Sequence, residues 1–302
     1  MDQQFSFYAR ICGKLLGDGC MTKQGNRKPR FQFMHRTEDV GWAQYCYEHL
    51  QDFLPLSPPT YSKVADTRLI KQYSERYIVQ SRTHPTITDL YAMWYPEGKK
   101  VIPFEFLETY INEVALSWWY QDDGHVKIVN GVMKKIILST DSFTAFENEQ
   151  LIQLLFKKFK LRFSVDGQNR LILYDQFQII YFLNLVSPWL SPAMERKAAI
   201  MLPLKPIANR TTVYLPSTVN LRKPTAEIND KLVKLYSLLC EEKKSVCLQT
   251  IFKEFEYLLT VQDTKTVGYQ IVIQESYRDL LARVRQQTGL SISLLVSYCF
   301  VD

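Results

Sequence analysis

The sequence predicts an α+β protein: a duplicated unit with pseudo-twofold symmetry, followed by a mainly helical C-terminal extension. Three observations predict this. An apolar stretch ending in acid–glycine occurs twice, as Ile11-Cys-Gly-Lys-Leu-Leu-Gly-Asp18-Gly19 and as Leu116-Ser-Trp-Trp-Tyr-Gln-Asp-Asp123-Gly124. Its two aspartates lie 105 positions apart, and the same order of elements follows each copy. Past residue 205 that order stops and a different pattern begins.

Each half opens with the apolar helix that ends in the acid–glycine pair. Arg30-Phe-Gln-Phe-Met-His-Arg36 then alternates as a strand does, and Lys134-Lys-Ile-Ile-Leu-Ser-Thr140 does so more loosely. Thr37-Glu-Asp and Asp141-Ser are acidic-polar starts for amphipathic helices running to Phe53 and Phe159. Two short strands are predicted next, at 60–63 and 77–82 in the first half and at 161–166 and 170–174 in the second. A last helix leads to Lys99-Lys100 and to Arg196-Lys197. The repeats are therefore assigned to residues 1–105 and 106–205. Such duplication implies that the two first helices pack on one another, with Cys12, Gly13, Gly17 and Ser117 as small residues at the contact. The alternative is two unrelated core helices, each stopped by a glycine.

The extension, 206–302, begins in a linker-like passage marked by Pro203, Pro206, Pro216 and Pro224. Helices are predicted at 226–239 and 248–259. A short strand follows at 269–273, then a helix at 276–287 stopped by Thr288-Gly289, then one at 294–300 capped by Ser291. Residues 268–302 resemble the ribbon-helix-helix pattern of small DNA-binding repressors. A lone strand needs a partner and none is evident, so this reading implies a dimer through the C-terminal segment. The alternative is a helical appendage packed on the core.

Composition narrows the class without choosing it. The 302 residues are 46% hydrophobic and 23% charged, which suits a globular chain. A net charge of +6 is compatible with a polyanionic partner. Six scattered cysteines and four histidines show no zinc spacing and read as free thiols in a reducing compartment. No apolar run approaches the ~20 residues that span a membrane, and no targeting signal is seen. The protein is thus expected inside the cell, in a bacterial cytoplasm or an organelle interior.

Packed first helices would bring Asp18 and Asp123 side by side at their C-terminal ends. There the helix dipole disfavours a negative charge, and two carboxylates repel unless a divalent cation lies between them. Hard oxygen ligands suit magnesium, with manganese substituting, and such a site can hydrolyse phosphodiesters. Asp122 is read as secondary. Lys100 and Lys197, at equivalent places, are candidates for positioning water or offsetting phosphate charge, or are simply solvated. On the strand 30–36, Arg30, Gln32, Met34 and Arg36 share one face, and Phe31, Phe33 and His35 the other. Guanidinium and amide groups read base edges in the major groove. Lys63, Arg68, Lys71, Arg76, Gln80 and Arg82 extend this polar stretch; Lys127, Lys134, Lys135, Arg162 and Arg170 are the candidates in the second half. Any one of them alone could be a solvated strand residue.

Both motif helices resemble the LAGLIDADG motif, with Asp18 and Asp123 at the position of that family's metal-binding aspartate. The resemblance covers residues 5 to 205 and is closest to single-chain, intron-encoded members. Leu56-Ser-Pro-Pro, Lys99-Lys-Val-Ile-Pro103, Ser142-Phe-Thr and Pro188-Trp-Leu-Ser-Pro192 carry it further. It implies a duplicated αββαββα fold, in which two antiparallel sheets form a saddle over double-stranded DNA and the motif helices form the interface. It also implies a monomeric catalytic core, catalytic roles for both aspartates and both lysines, and cleavage of both strands with short 3′ overhangs. Lys14 and the bulky Trp118-Trp119 depart from the motif. Two other functions fit the fold: an RNA-binding maturase for intron RNA, and a non-cutting DNA-binding regulator.

Overall fold

The computed structural model describes residues 3–300 apart from 69, 201, 241–251, 254 and 257–264. The first repeat runs α1 (Gln3–Leu16), β1 (Cys20–Thr22), β2 (Arg30–Arg36), α2 (Val40–Leu50), β3 (Thr60–Ala65), β4 (Tyr73–Gln80) and α3 (Pro85–Trp94). A short helix, α4 (Phe104–Tyr110), joins it to the second. That repeat runs α5 (Glu113–Asp123), β5 (Gly124–Val129), β6 (Val132–Leu138), α6 (Ala145–Phe159), β7 (Ser164–Val165), β8 (Leu171–Leu173) and α7 (Gln176–Val186). The sheets have matching order, β1-β2-β4-β3 and β5-β6-β8-β7, all antiparallel. The order αββαββα is thus present twice.

Local chemistry sets the boundaries. Asn112 caps α5 by accepting from the Ala115 amide, and Asp175 caps α7 through Gln178. Helix α6 starts at Ala145 rather than at Asp141, because Thr144 and Glu147 satisfy each other's amides in a capping box. Thr37–Asp39 forms a single 3-10 turn before α2, which ends at Leu50 instead of Phe53. Each region after the acid–glycine pair holds two strands, where the alternation pattern showed one.

The motif helices α1 and α5 pack along the pseudo-axis, and the reason is local. Residues at a twofold axis meet their own counterparts, here 105 positions away. A Cβ on Gly13 would stand 2.6 Å from the Trp118 Cβ, and one on Gly17 would stand 2.5 Å from the Asp122 Cβ. Small residues on α1 thus make room for large ones on α5. The Trp118 ring is carried out to meet Trp42 of α2 edge-on, at 5.3 Å between centroids. The departures from the motif are packed complements rather than disruptions.

The C-terminal region holds β9 (Arg210–Pro216), α8 (Pro224–Cys240), β10 (Thr266–Val272), α9 (Glu275–Thr288) and α10 (Ile292–Tyr298). The passage predicted as a linker contains β9, and β9 pairs antiparallel with β10 over seven residues. The strand that lacked an evident partner therefore finds one in the same chain, and the ribbon is complete without a dimer. Gly289, at φ 73°, ends α9, and Ser291 caps α10 as expected. The helix predicted at 248–259 lies largely outside the described residues. Cys12, Cys20, Cys46 and Cys299 are free thiols, and among the described residues no helix is long and apolar enough to cross a membrane.

Candidate functional site

Asp18 lies just past α1 and Asp123 closes α5, so both carboxylates stand where their helices expose unsatisfied carbonyls. Lys100 and Lys197 serve those helix ends. Lys197 Nζ donates to the Tyr120, Gln121 and Asp122 carbonyls at 3.0, 2.5 and 3.3 Å, while Lys100 Nζ donates to Gly19 O at 3.1 Å. Neither is a free lysine at a helix end. Burial lowers the pKa of both, Lys197 to about 8, although nearby aspartates oppose the shift. The structure thus gathers the four predicted catalytic residues at one point of the interface.

The aspartates differ in environment. Burial opposes ionisation of Asp18, but the hydrogen bond from His35 and the charges of Lys14 and Lys197 outweigh it and lower its pKa. Asp123 is pushed up to about 7, first by burial and then by the charges of Asp18 and Asp122, which Lys197 and Lys100 only partly offset.

Sequence reading missed the residues that create this asymmetry. Lys14 is wholly buried, with Nζ 2.9 Å from both Asp122 Oδ1 and His35 Nε2. Asp122 also accepts from Trp42 Nε1 at 2.8 Å and from the Asp18 amide at 3.1 Å. An ammonium can only donate, so His35 Nε2 must accept and the ring proton belongs on Nδ1. That nitrogen lies 3.3 Å from Asp18 Oδ2. Asp122, read as secondary, is the hub that ties the two repeats together. A signal was present: a lysine in an apolar helix needs a buried partner, and its counterpart motif carried one extra acid.

Ligand atoms of Asp18, His35 and Asp122 lie within 4.8 Å of one another, as a metal trio would. The Lys14 ammonium already supplies the positive charge at that point. The carboxyls that Lys14 does not bond are the exposed one of Asp18 and the charge-stressed one of Asp123. These are hard oxygen donors, and they fit a divalent cation of the magnesium type.

The sheets extend on either side. In the first, Gln32 faces Gln80, Met34 faces Ile78 and Arg36 faces Arg76, so these side chains and Arg30 share one surface. Gln80 Nε2 donates to Gln32 Oε1 at 2.9 Å. Phe31, Phe33 and His35 are buried on the other. Lys63 sits opposite Glu75, on the His35 side of the register, with Nζ 3.6 Å from the Tyr73 ring centre. Alternation thus separates it from Gln32 and Arg36. Arg68 and Lys71 belong to the β3–β4 loop, where Arg68 pairs with Asp66 at 2.8 Å; Arg82 follows β4. In the second sheet Lys127 faces Lys135, and a register shift leaves Lys134 as the unopposed residue of a bulge. Arg162 precedes β7, and Arg170 pairs with Asp166 at 2.7 Å. His125 shares the Lys127 face and was missed; burial, then Arg170, Lys197 and Lys135, lower its pKa. Its counterpart 105 positions earlier is Cys20, whose chemistry gave no hint.

The sequence profile of the LAGLIDADG DNA endonuclease family matches residues 9–184. An uncharacterized protein of Methanocaldococcus jannaschii is 30% identical over 192 residues, 62% of this chain and 71% of that protein. A probable intron-encoded endonuclease of Wickerhamomyces canadensis is 27% identical over 193 residues, 62% of this chain and 81% of its own length. A cytochrome b mRNA maturase of Debaryomyces hansenii is 24% identical over 205 residues, covering 61% and 70%. Among solved structures, the homing endonuclease I-WcaI bound to its DNA recognition sequence superposes with a TM-score of 0.57 at 23% identity, covering 65% of this chain and 87% of that one. With the motif helices, the matched sheets and these relatives in agreement, this chain belongs to the LAGLIDADG homing endonuclease family, of the single-chain type with two motifs.

Proposed function

We propose that the protein is a site-specific endonuclease that hydrolyses both strands of a long double-stranded DNA target and leaves short 3′ overhangs. One observation carries this reading: two carboxylates meet at the pseudo-axis, each with a lysine held against its helix end. Asp18 and Asp123 would hold magnesium, for which manganese can substitute. A bound divalent cation would supply Lewis acidity toward a phosphate oxygen and lower the pKa of water. His35 orients the Asp18 carboxylate. Lys100 and Lys197 add positive charge beside the phosphate. Arg30, Gln32, Arg36, Arg76 and Gln80 on one sheet, and Lys127 and Lys135 on the other, present donors to the DNA grooves.

The test is selection of cleaved sites from a randomised duplex library with magnesium and with calcium. Discrete magnesium-dependent cuts at one long sequence are expected. Duplex binding with no cut under either ion would overturn the reading. The maturase among the relatives motivates a second reading, binding of structured intron RNA, which would then be assayed directly.

The Asp123 environment adds a pH prediction. Its folded pKa, about 7, exceeds the unfolded value near ~4. The metal-free folded state therefore binds the extra proton, and stability present below ~4 is lost as pH rises through about 7. Asp18 shifts the other way and acts only below its usual value. His125, its pKa lowered, opposes this trend only up to its ordinary value near ~6.5, so the metal-free melting temperature should fall between about pH 6.5 and 7.5, and magnesium should restore more of it at the higher pH. A flat profile with equal magnesium shifts would remove Asp123 from the site.

A further inference from the structure

The C-terminal region gives the duplex reading an additional surface. From the antiparallel register, we infer that the β9–β10 ribbon is a second DNA-reading element, entering the major groove of sequence that flanks the second repeat. This rests on the duplex-DNA reading above.

The ribbon has two unlike faces. Thr211, Val213 and Leu215 lie opposite Ile271, Tyr269 and Val267. Val213, Leu215 and Ile271 are buried on a local core that includes Ile228 and Leu232 of α8, Leu281 and Val284 of α9, and Leu295 of α10. Helix α8 lies against β10 and α10 against β9, so the ribbon is braced from beneath at both strands. The Tyr214 amide is anchored by Ser293 Oγ at 3.0 Å. Asn229 spans the far end, donating to Val272 O at 2.8 Å and accepting from the Gln274 amide at 3.0 Å.

On the opposite face stand Arg210, Thr212 and Tyr214, across from Val272, Gln270 and Gly268. All are exposed, and neither strand carries an acid. A water-facing ribbon of this kind needs no arginine, glutamine or exposed tyrosine for its own stability. The duplex major groove admits a two-stranded ribbon, and its base edges bond with guanidinium, amide and hydroxyl groups. Gly268 keeps the partner strand low beside Tyr214: a Cβ there would stand 3.1 Å from the ring.

A basic cleft lies between the second sheet and the helices that brace the ribbon. It encloses about 310 Å³ between Lys134 on the β6 bulge, Gln176, Lys205, Arg285, Gln286 and Ser291. No acid is among its described lining residues. Three cations with no acid among the described lining residues suit a polyanion, and a cleft open at its mouth suits a passing phosphate backbone. Ser291 lies at one edge, two residues from the Ser293 that anchors Tyr214.

The experiment uses the full chain in calcium, so that binding is read without cutting. Duplexes are selected by binding from a randomised library, and the footprint of the winning site is compared between the parent and Arg210→Ala/Gln270→Ala. Both side chains are exposed, so the variant should fold; circular dichroism checks it. Loss of sequence preference confined to one flank, a footprint shortened on that side, and roughly 10–100-fold weaker binding are expected. Magnesium-dependent cuts at the central sequence should persist. An unchanged footprint and preference would overturn the inference while leaving the endonuclease reading intact. So would a parent dimer that the variant turns monomeric with its footprint unchanged, which would mark the face as a contact between copies. A parent that binds no duplex would overturn both readings.

Discussion

Asp18→Asn and Asp123→Asn are each expected to lose cleavage by about 10³-fold or more while binding target duplex as tightly as the parent. Asparagine keeps the shape and one acceptor oxygen but removes the charge that holds a divalent cation in place. On the duplex reading, affinity would come mainly from cation–phosphate contacts across the two sheets, which neither change touches. The pair should differ in stability despite their pseudo-symmetry. Asp123 is held at a pKa of about 7 by burial and by two neighbouring acids, so its asparagine variant relieves repulsion. It should melt higher than the parent without metal at pH 7.5. Asp18 is favoured as an anion by His35, Lys14 and Lys197, so Asp18→Asn should gain nothing and lose a favourable contact. Cleavage of a defined duplex, gel-shift titration in calcium and thermal melts provide the three readouts. Equal loss of binding and cutting in both variants would place the aspartates in DNA contact instead of metal binding.

The largest stability effect is expected at Lys14. Lys14→Met leaves the fully buried Asp122 carboxylate with the Trp42 and Asp18 donors but without its directly bonded counter-charge. Removing one partner of a buried pair costs about 3–5 kcal/mol, because the remaining charge stays uncompensated. Asp122→Asn in the same chain removes that charge and retains an acceptor for Trp42. The double variant should therefore lose less than the sum of the single losses, by at least ~1 kcal/mol in denaturant unfolding. Strict additivity would show that the two side chains are not coupled. The pair spans α1 and α5, so its loss should also loosen the repeat interface. Asp18 would then lose both the Lys14 charge and the His35 tautomer that Lys14 enforces, and cutting should fall with stability even in molecules that remain folded.

Much of this was legible in the residues. The motif and the order of elements after it repeat along the chain, and repetition survives in a sequence because each copy must build the same supersecondary unit. Alternation sorted Arg30, Gln32 and Arg36 from Phe31, Phe33 and His35 correctly, because strand side chains have a strict period of two. Charge gave no such guide where no strand boundary was known. Lys63 joined the reading face on charge alone, and only its pairing with Glu75 reveals its side of the sheet. The α6 start was misplaced because Asp141 and Thr144 both look like caps, and the choice depends on whether Glu147 can reach back.

By itself the sequence determined the duplicated architecture, the two aspartates at the ends of paired helices, and the family. These follow from local periodicity and from a motif whose residue types are tied to one geometry. Only the tertiary structure decided what meets across the axis: Gly13 with Trp118, Gly17 with Asp122, and Lys14 between Asp122 and His35. It alone joined β9 to β10 across forty-nine intervening residues. The physical reason is common to both. Such contacts are chosen by shape and by the cost of burying an unpaired charge or backbone group, and those costs exist only once distant segments are packed together.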